Sequence, residues 1–428
     1  MTQATTQAST GYEPLTVASL PQRLGAIAAL SDRLGPDSAT WKVREVGDGN
    51  LNLVFIVEGS KGSVIVKQAL PYVRLVGDSW PLPLKRAFYE YNALIRQAER
   101  APGTVPQVFH FDEAQAIIAM EFFTPHIILR QGLIAGHRYP GMAGVLGKFC
   151  ARTLFRGSDL SMDTARRKAD LRLFAESTEL CDITETLVFT DPYFEAERNH
   201  HTPGLDGVVA ELRADIDLKV EAQHMKAKFA NNAETMLHGD LHTGSVMVTE
   251  DETRVIDPEF ALYGPMGFDV GMLLANFWMA FFAQPGHAEK PGARADYQDW
   301  ILQVTADIWA AFQAEFSHLW RTERSGILYE RSLFEDQGQP LGSEQALGHR
   351  LTHIWQDTQG FAGVEMIRRI LSLAHNADNE TITDEALRAR LETRQLRFAR
   401  QLVVNRTLTA SLANVLDLAR QIAREETP

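Results

Sequence analysis

The chain has 428 residues, 45% hydrophobic and 23% charged, with a net charge of −13. That length exceeds what a single core supports and predicts two lobes, and the composition is that of a folded protein, not a disordered one. The acidic balance, with no basic stripe, argues against nucleic acid or an anionic membrane surface as partner.

Two cysteines, Cys150 and Cys181, show no CxxC or metal spacing. A disulfide framework is not expected, and a reducing, cytoplasmic setting fits. Residues 1–14 have no basic segment followed by an apolar run, so they read as a disordered tail and not as a secretory signal. Over residues 15–35, Leu20, Leu24, Ile27, Leu30 and Leu34 recur at helical spacing, ended by Gly35 and Pro36. The period then changes to alternation at 41–46, and residues 53–57 and 63–66 read as strands joined by a turn at 58–62. Helical spacing returns at 84–100, followed by strand-like 107–112 and 116–121. From about 140 the pattern is helical, broken only near 236–260 by strand, loop and strand. The apolar run 272–283 is too short to span a bilayer and contains Asn276. The expectation is an α+β, bilobal fold: an N-lobe of mainly antiparallel sheet over 15–121 and a larger helical C-lobe over 122–428.

Three segments carry chemistry. The turn Gly47-Asp48-Gly49-Asn50 lies between two strands, where glycines let backbone N–H groups approach phosphates, although most such turns are only hairpins. Lys67 ends the next strand, the place where kinases put the lysine that holds the α/β-phosphates; a lone strand-end lysine is more often simply solvated. Glu90, in the following helix, is placed to pair with it. The third segment is the most specific: His238-Gly-Asp240-Leu-His242 and, after a hairpin, Asp257-Pro258-Glu259. It predicts that Asp240, Asp257 and Glu259 converge. Converging carboxylates repel unless a metal or a shared proton offsets them, and phosphoryl transfer uses such a set, one to orient the attacking hydroxyl and others to hold Mg²⁺. The two histidines read as structural hydrogen-bonders, and the oxygen-rich set favours Mg²⁺ over zinc.

HGDLHTGS at 238–245 followed by DPEFALYGPMGFD at 257–269 resembles the methylthioribose kinase family, within the aminoglycoside/choline-kinase-like group. DGNLNLVF at 48–55, Lys67, Trp80, CDITETLVFTDPYF at 181–194 and GFAGVEMIRRILSLAHNAD at 360–378 extend the resemblance over nearly the whole chain. It implies a protein-kinase-like fold, ATP as co-substrate with Mg²⁺, a homodimer, and phosphorylation of 5-methylthioribose at its anomeric hydroxyl in methionine salvage. By resemblance Asn50 and Lys67 contact ATP, and Glu121, Phe122 and Phe123 form the adenine hinge. Asp240 is the catalytic carboxylate, and Asp257 and Glu259 hold the metal, with Pro258 between them at the nucleotide. Trp80 sits in a mobile loop near the nucleotide, and Arg368 and Arg369 serve the sugar or the transferred phosphoryl group. Ser245 stands where protein kinases have a metal-binding Asn, and the hinge EFFT is more apolar than the acidic hinge expected. From spacing alone, Arg368-Arg369 between Met366-Ile367 and Ile370-Leu371 predicts one arginine facing solvent; the resemblance implies at least one in the site. Alternatives are a kinase of 5-deoxyribose or another small alcohol, and a nucleotide-binding pseudokinase. The arginine pair argues against a cationic substrate, and the lack of an APE-type segment after Asp257 argues against a protein kinase.

Overall fold

The computed structural model describes residues 11–47, 51–73, 77–409 and 411–425; Asn50 lies outside them. The chain divides into two compact units, residues 1–124 and 125–428.

The first unit is built on a five-stranded antiparallel sheet of order β1-β2-β3-β7-β6. These are β1 (Lys42–Glu45), β2 (Asn52–Glu58), β3 (Ser63–Ala69), β6 (Val108–Asp112) and β7 (Ile117–Glu121). The remaining two, β4 (Tyr72–Val73) and β5 (Gly77–Pro81), form a separate ribbon. Phe55 pairs with Val66 and Val57 with Val64, so alternation puts all four on one face. There they cluster with Leu20, Leu24, Leu30 and Leu34. The helical stretch expected over 15–35 is therefore real but broken, into α1 (Leu20–Leu24) and α2 (Ala28–Leu34). Residues 11–14, expected in the tail, lie on the sheet: the Tyr12 hydroxyl donates to Ala69 O at 2.9 Å. Lys67 has the opposite parity from Val64 and Val66, so it faces α3 (Arg86–Arg100), where Ala87 packs on Ala69 and Ala116.

The second unit is mainly helical. Its helices are α4 (Leu129–Ala135), α5 (Met142–Arg156), α6 (Thr164–Phe174), α7 (Thr178–Leu187), α8 (Asp206–Ala214) and α9 (Ile216–Asn231), then α10 (Gly267–Ala283), α11 (Ala295–Thr322), α12 (Pro340–Leu371), α13 (Ala377–Glu380), α14 (Glu385–Val404) and α15 (Leu412–Arg424). Helix starts before the expected residue 140, at Leu129. Every residue of α10 is buried, which explains an apolar pattern without a polar stripe. It packs against α12 at close range: a Cβ on Gly271 would come within 2.7 Å of Thr358 O. No helix among the described residues is long and apolar enough to cross a membrane. Short strands interrupt the helices where the sequence predicted them. The hairpin β10 (Val246–Val248) and β11 (Thr253–Val255) is joined by β8 (Ile127–Ile128), while β9 (Thr235–Met236) pairs with β12 (Tyr263–Gly264). The 237–245 loop is thus fixed at both ends, and α10 begins three residues after β12.

Candidate active site

In the first unit the expected ion pair is present. Lys67 Nζ lies 2.8 Å from Glu90 Oε1, and both side chains are buried. The lysine is delivered by β3 and the glutamate by the inner face of α3. Spacing alone overlooked a second cation here: Arg86, buried at the start of α3, donates to the carbonyls of Leu51 and Leu70 and so ties the entry of β2 to the exit of β3. Trp80 does not lie in an irregular loop. It is a half-buried residue of β5, in the ribbon where Tyr72 pairs with Pro81. At the hinge, Glu121 ends β7 and donates its N–H to Gln107 O at 2.9 Å. That N–H is committed to the sheet, and Phe123 is buried.

In the second unit the loop after β9 is shaped by one glycine and one aspartate. Gly239 has φ +86°, and a Cβ there would meet Phe260 O at 2.0 Å, so no other residue fits. Asp269, in the first turn of α10, accepts the N–H groups of His238 at 2.7 Å and Gly239 at 3.0 Å. Burial pushes its carboxyl above the usual range, against the pull of His238 and of the two N–H groups. His238 Nε2 donates to Ile256 O at 2.9 Å, which laces the loop to the strand leading to Asp257. Both histidines make hydrogen bonds that shape the loop.

Asp240 is held by three side chains. His242 accepts the Gly244 N–H at Nδ1, 2.9 Å, so in its neutral form the ring proton sits on Nε2, which faces Asp240 Oδ2 at 3.2 Å. Burial pushes the His242 pKa down despite Asp240, which favours that neutral tautomer. The other carboxylate oxygen, Oδ1, receives Arg369 at 3.2 Å and Arg368 at 3.4 Å. Burial by itself would raise the Asp240 pKa, but His242, Arg369 and Arg368 together hold it well below the carboxylate range. Ser245 donates its hydroxyl to Asp240 O at 3.0 Å, a loop-closing bond.

The expectation of one solvent-facing arginine is overturned. Arg368 and Arg369 are 8% and 7% exposed, and both reach Asp240. Spacing failed because it assumed a helix with a wet side, whereas residues 357–371 of α12 are buried all round. Two of the three carboxylates expected to converge lie together. Oxygens of Asp257 and Glu259 come within 4.8 Å of each other, but among the described residues Asp240 belongs to no such group. Arg368 and Arg369 offset the charge of Asp240. Asp257 itself has φ +68°, a left-handed conformation that Asp tolerates better than most residues and that re-aims its carboxylate. Hard oxygen donors from Asp257 and Glu259 fit a hard divalent cation such as Mg²⁺.

Sequence reasoning passed over Glu365, Asn276, Arg130 and Asp378. Glu365 is fully buried and accepts from Arg368 Nε at 2.6 Å and Arg369 Nε at 2.7 Å. Arg130 donates to Asn276 Oδ1 at 2.7 Å and to Thr243 Oγ1 at 3.2 Å, and its Nε lies 3.0 Å from Asp378 Oδ2. The available signal was polarity out of place: an Asn inside an apolar helix, and an acid one turn before an arginine pair. Beside Asp240 and Arg368 opens a small cleft of about 50 Å³, also lined by Ile183, Leu187, Val188 and Met272.

A carboxylate pinned between guanidinium groups, with two more carboxylates on the following loop, is equipped to handle phosphoryl groups. The model of the phosphotransferase enzyme family called APH matches residues 42–314, which sets the class of the protein. The chain is 43% identical over 412 residues to a methylthioribose kinase of Escherichia coli O45:K1, covering 96% of this chain and 98% of that one. It is 42% identical to methylthioribose kinase 1 of Oryza sativa subsp. japonica (95% of each chain) and 41% identical to a methylthioribose kinase of Geobacillus thermodenitrificans (98% of each). The chain belongs to the methylthioribose kinase family, the one its motifs resembled.

Proposed function

We propose that this protein transfers the γ-phosphoryl group of ATP to the anomeric hydroxyl of 5-methylthioribose, giving 5-methylthioribose 1-phosphate. The observation that carries the reading is Asp240, held between His242 and the Arg368–Arg369 pair on a loop built by Asp269 and Gly239.

Lys67, kept in place by Glu90, holds the α/β-phosphates, and Asn50 and the hinge 121–123 take the rest of the nucleotide. Asp257 and Glu259, flanking Pro258, would hold Mg²⁺, which would supply positive charge against the phosphates. Asp240 orients the sugar hydroxyl. A carboxylate so far below its usual range is a weak base, which suits a loose transition state needing little early deprotonation. Phosphoryl oxygens compete with Asp240 Oδ1 for the same arginine N–H groups. As Arg368 and Arg369 turn to the phosphoryl group, Asp240 regains basicity when the hydroxyl proton has to leave. Trp80 contributes from β5. The cleft supports the substrate: hydroxyls suit Asp240 and Arg368, and a methylthio tail suits Ile183, Leu187, Val188 and Met272. A cytoplasmic homodimer completes the reading, and light scattering on the purified protein tests the dimer.

The decisive experiment is an ATP-coupled panel of 5-methylthioribose, 5-deoxyribose, ribose and choline, with and without a Mg²⁺ chelator. Methylthioribose is expected to exceed 5-deoxyribose by about 10-fold or more in kcat/KM, the worth of a small apolar group in a fitted pocket. Chelation is expected to stop turnover. Preference for choline, or ATP binding with no transfer to any sugar, overturns the reading.

A further inference from the structure

Two arginines next to each other on a helix point about 100° apart, yet Arg368 and Arg369 both reach one oxygen of Asp240. Something must draw their guanidinium groups together. Glu365 lies one turn earlier, three residues before one arginine and four before the other, the two spacings at which helix side chains meet. Its carboxylate takes one Nε on each oxygen, at 2.6 and 2.7 Å. Both arginines then present their NH2 groups toward Asp240.

Behind the fork stands Asn276. Its Nδ2 donates to Met272 O at 3.0 Å and faces Glu365 Oε1 at 3.4 Å, while its Oδ1 accepts from Arg130 at 2.7 Å. A carboxylate on one side and a guanidinium on the other fix which way the amide points. Arg130 reaches on to Thr243, in the same loop as Asp240, and to Asp378. Besides the direct contacts at Asp240, the loop and the arginine pair are therefore joined from behind through one buried amide.

We infer that Glu365 and Asn276 are positioning residues of this enzyme: Glu365 forks the two arginines onto the reacting centre, and Asn276 locks the fork to the Asp240 loop through Arg130. Neither touches the reacting atoms. The inference rests on the functional reading given above. Burial would raise the Glu365 pKa, but the two arginines more than offset this and hold it low, so the fork carries its charge at neutral pH.

The test is Glu365→Gln, which keeps the shape and removes the charge, with Asn276→Leu as its companion and Glu365→Asp as the conservative control. For Glu365→Gln, kcat/KM for methylthioribose is expected to fall roughly 10- to 100-fold, the usual result of misplacing an orienting group by an ångström, while KM for ATP stays unchanged. Glu365→Asp should recover part of the loss, because one methylene less lets the carboxylate serve one arginine well but not both. A purely structural role would instead lower the melting temperature and scale kcat with the folded fraction, leaving both KM values alone; that pattern overturns the inference. If Glu365→Gln does not fold, Asn276→Leu, which suits an apolar helix, is expected to show the same sugar-specific loss, and wild-type kinetics there overturn the inference. Wild-type enzyme assayed alongside separates the two levels. Absence of turnover by wild type removes the functional reading and this inference with it, whereas normal turnover with unaffected variants removes this inference alone.

Discussion

The two units handle buried charge differently. In the amino-terminal unit the pair Lys67–Glu90 spans one strand and one helix. In the carboxy-terminal unit Asp240, Arg368, Arg369, Glu365, Arg130 and Asp378 form three cations against three carboxylates, linked through Asn276 and supplied by four helices and a loop. A buried ion pair often contributes little net stability over two apolar side chains, so joint replacement of Lys67 and Glu90 tests what their charges add. A network cannot be exchanged piece by piece, because every group in it except Asp378 is a partner of at least two others. The comparison teaches that substitutions within the second unit's network should act non-additively.

Asp240→Asn gives the largest expected effect. Turnover should fall roughly 10²- to 10⁴-fold, the range for a positioned acid–base group, while calorimetry shows ATP still binding. Near wild-type kcat would remove Asp240 from the reaction. Next come the arginines. Because both are buried against Asp240, Arg368→Ala and Arg369→Ala should each cost roughly 2–4 kcal/mol in kcat/KM for the sugar, as for loss of a charge-stabilising donor. The double variant should cost less than the sum, because the two share Glu365 and Asp240. Simple additivity would break the contrast between network and pair.

Lys67 sharpens it from the other side. Lys67→Ala takes the cation from a buried carboxylate and should lower stability by about 3 kcal/mol and weaken ATP binding. Lys67→Met combined with Glu90→Leu should regain the stability but not the ATP affinity, read by denaturant melts and calorimetry on the same samples. If the double variant stays as unstable as the single one, the pair is not exchangeable.

The smallest effect concerns Glu392, a buried acid of α14 outside both centres. Burial raises its pKa to about 7 from the ordinary glutamate value of 4.5. The folded state therefore binds the proton that the unfolded state has released, and stability falls as pH rises between those values. Glu392→Gln should flatten that decline and raise the melting temperature by a few degrees at pH 8. An unchanged pH profile would show that this carboxyl titrates normally.

Much of this molecule was legible in the chain itself. Strand alternation located β2, β3 and β7. The HGD and DPE segments, each confined to a few consecutive residues, marked the reactive loop because turns and short hairpins are local structures. Tertiary packing decided the rest. Nothing near Arg368 or Arg369 says that their helix has no wet side; that follows from α10 and α14 closing over α12. Arg130 meets Asn276 across 146 residues, and Arg369 meets Asp240 across 129, distances over which periodicity carries no information. Hydrophobic spacing reports which face of an element is buried, but a polar side chain finds its partner only when the elements carrying both have docked. The charge network around Asp240 therefore belongs to the packed structure, while the loop that carries Asp240 was written in the sequence.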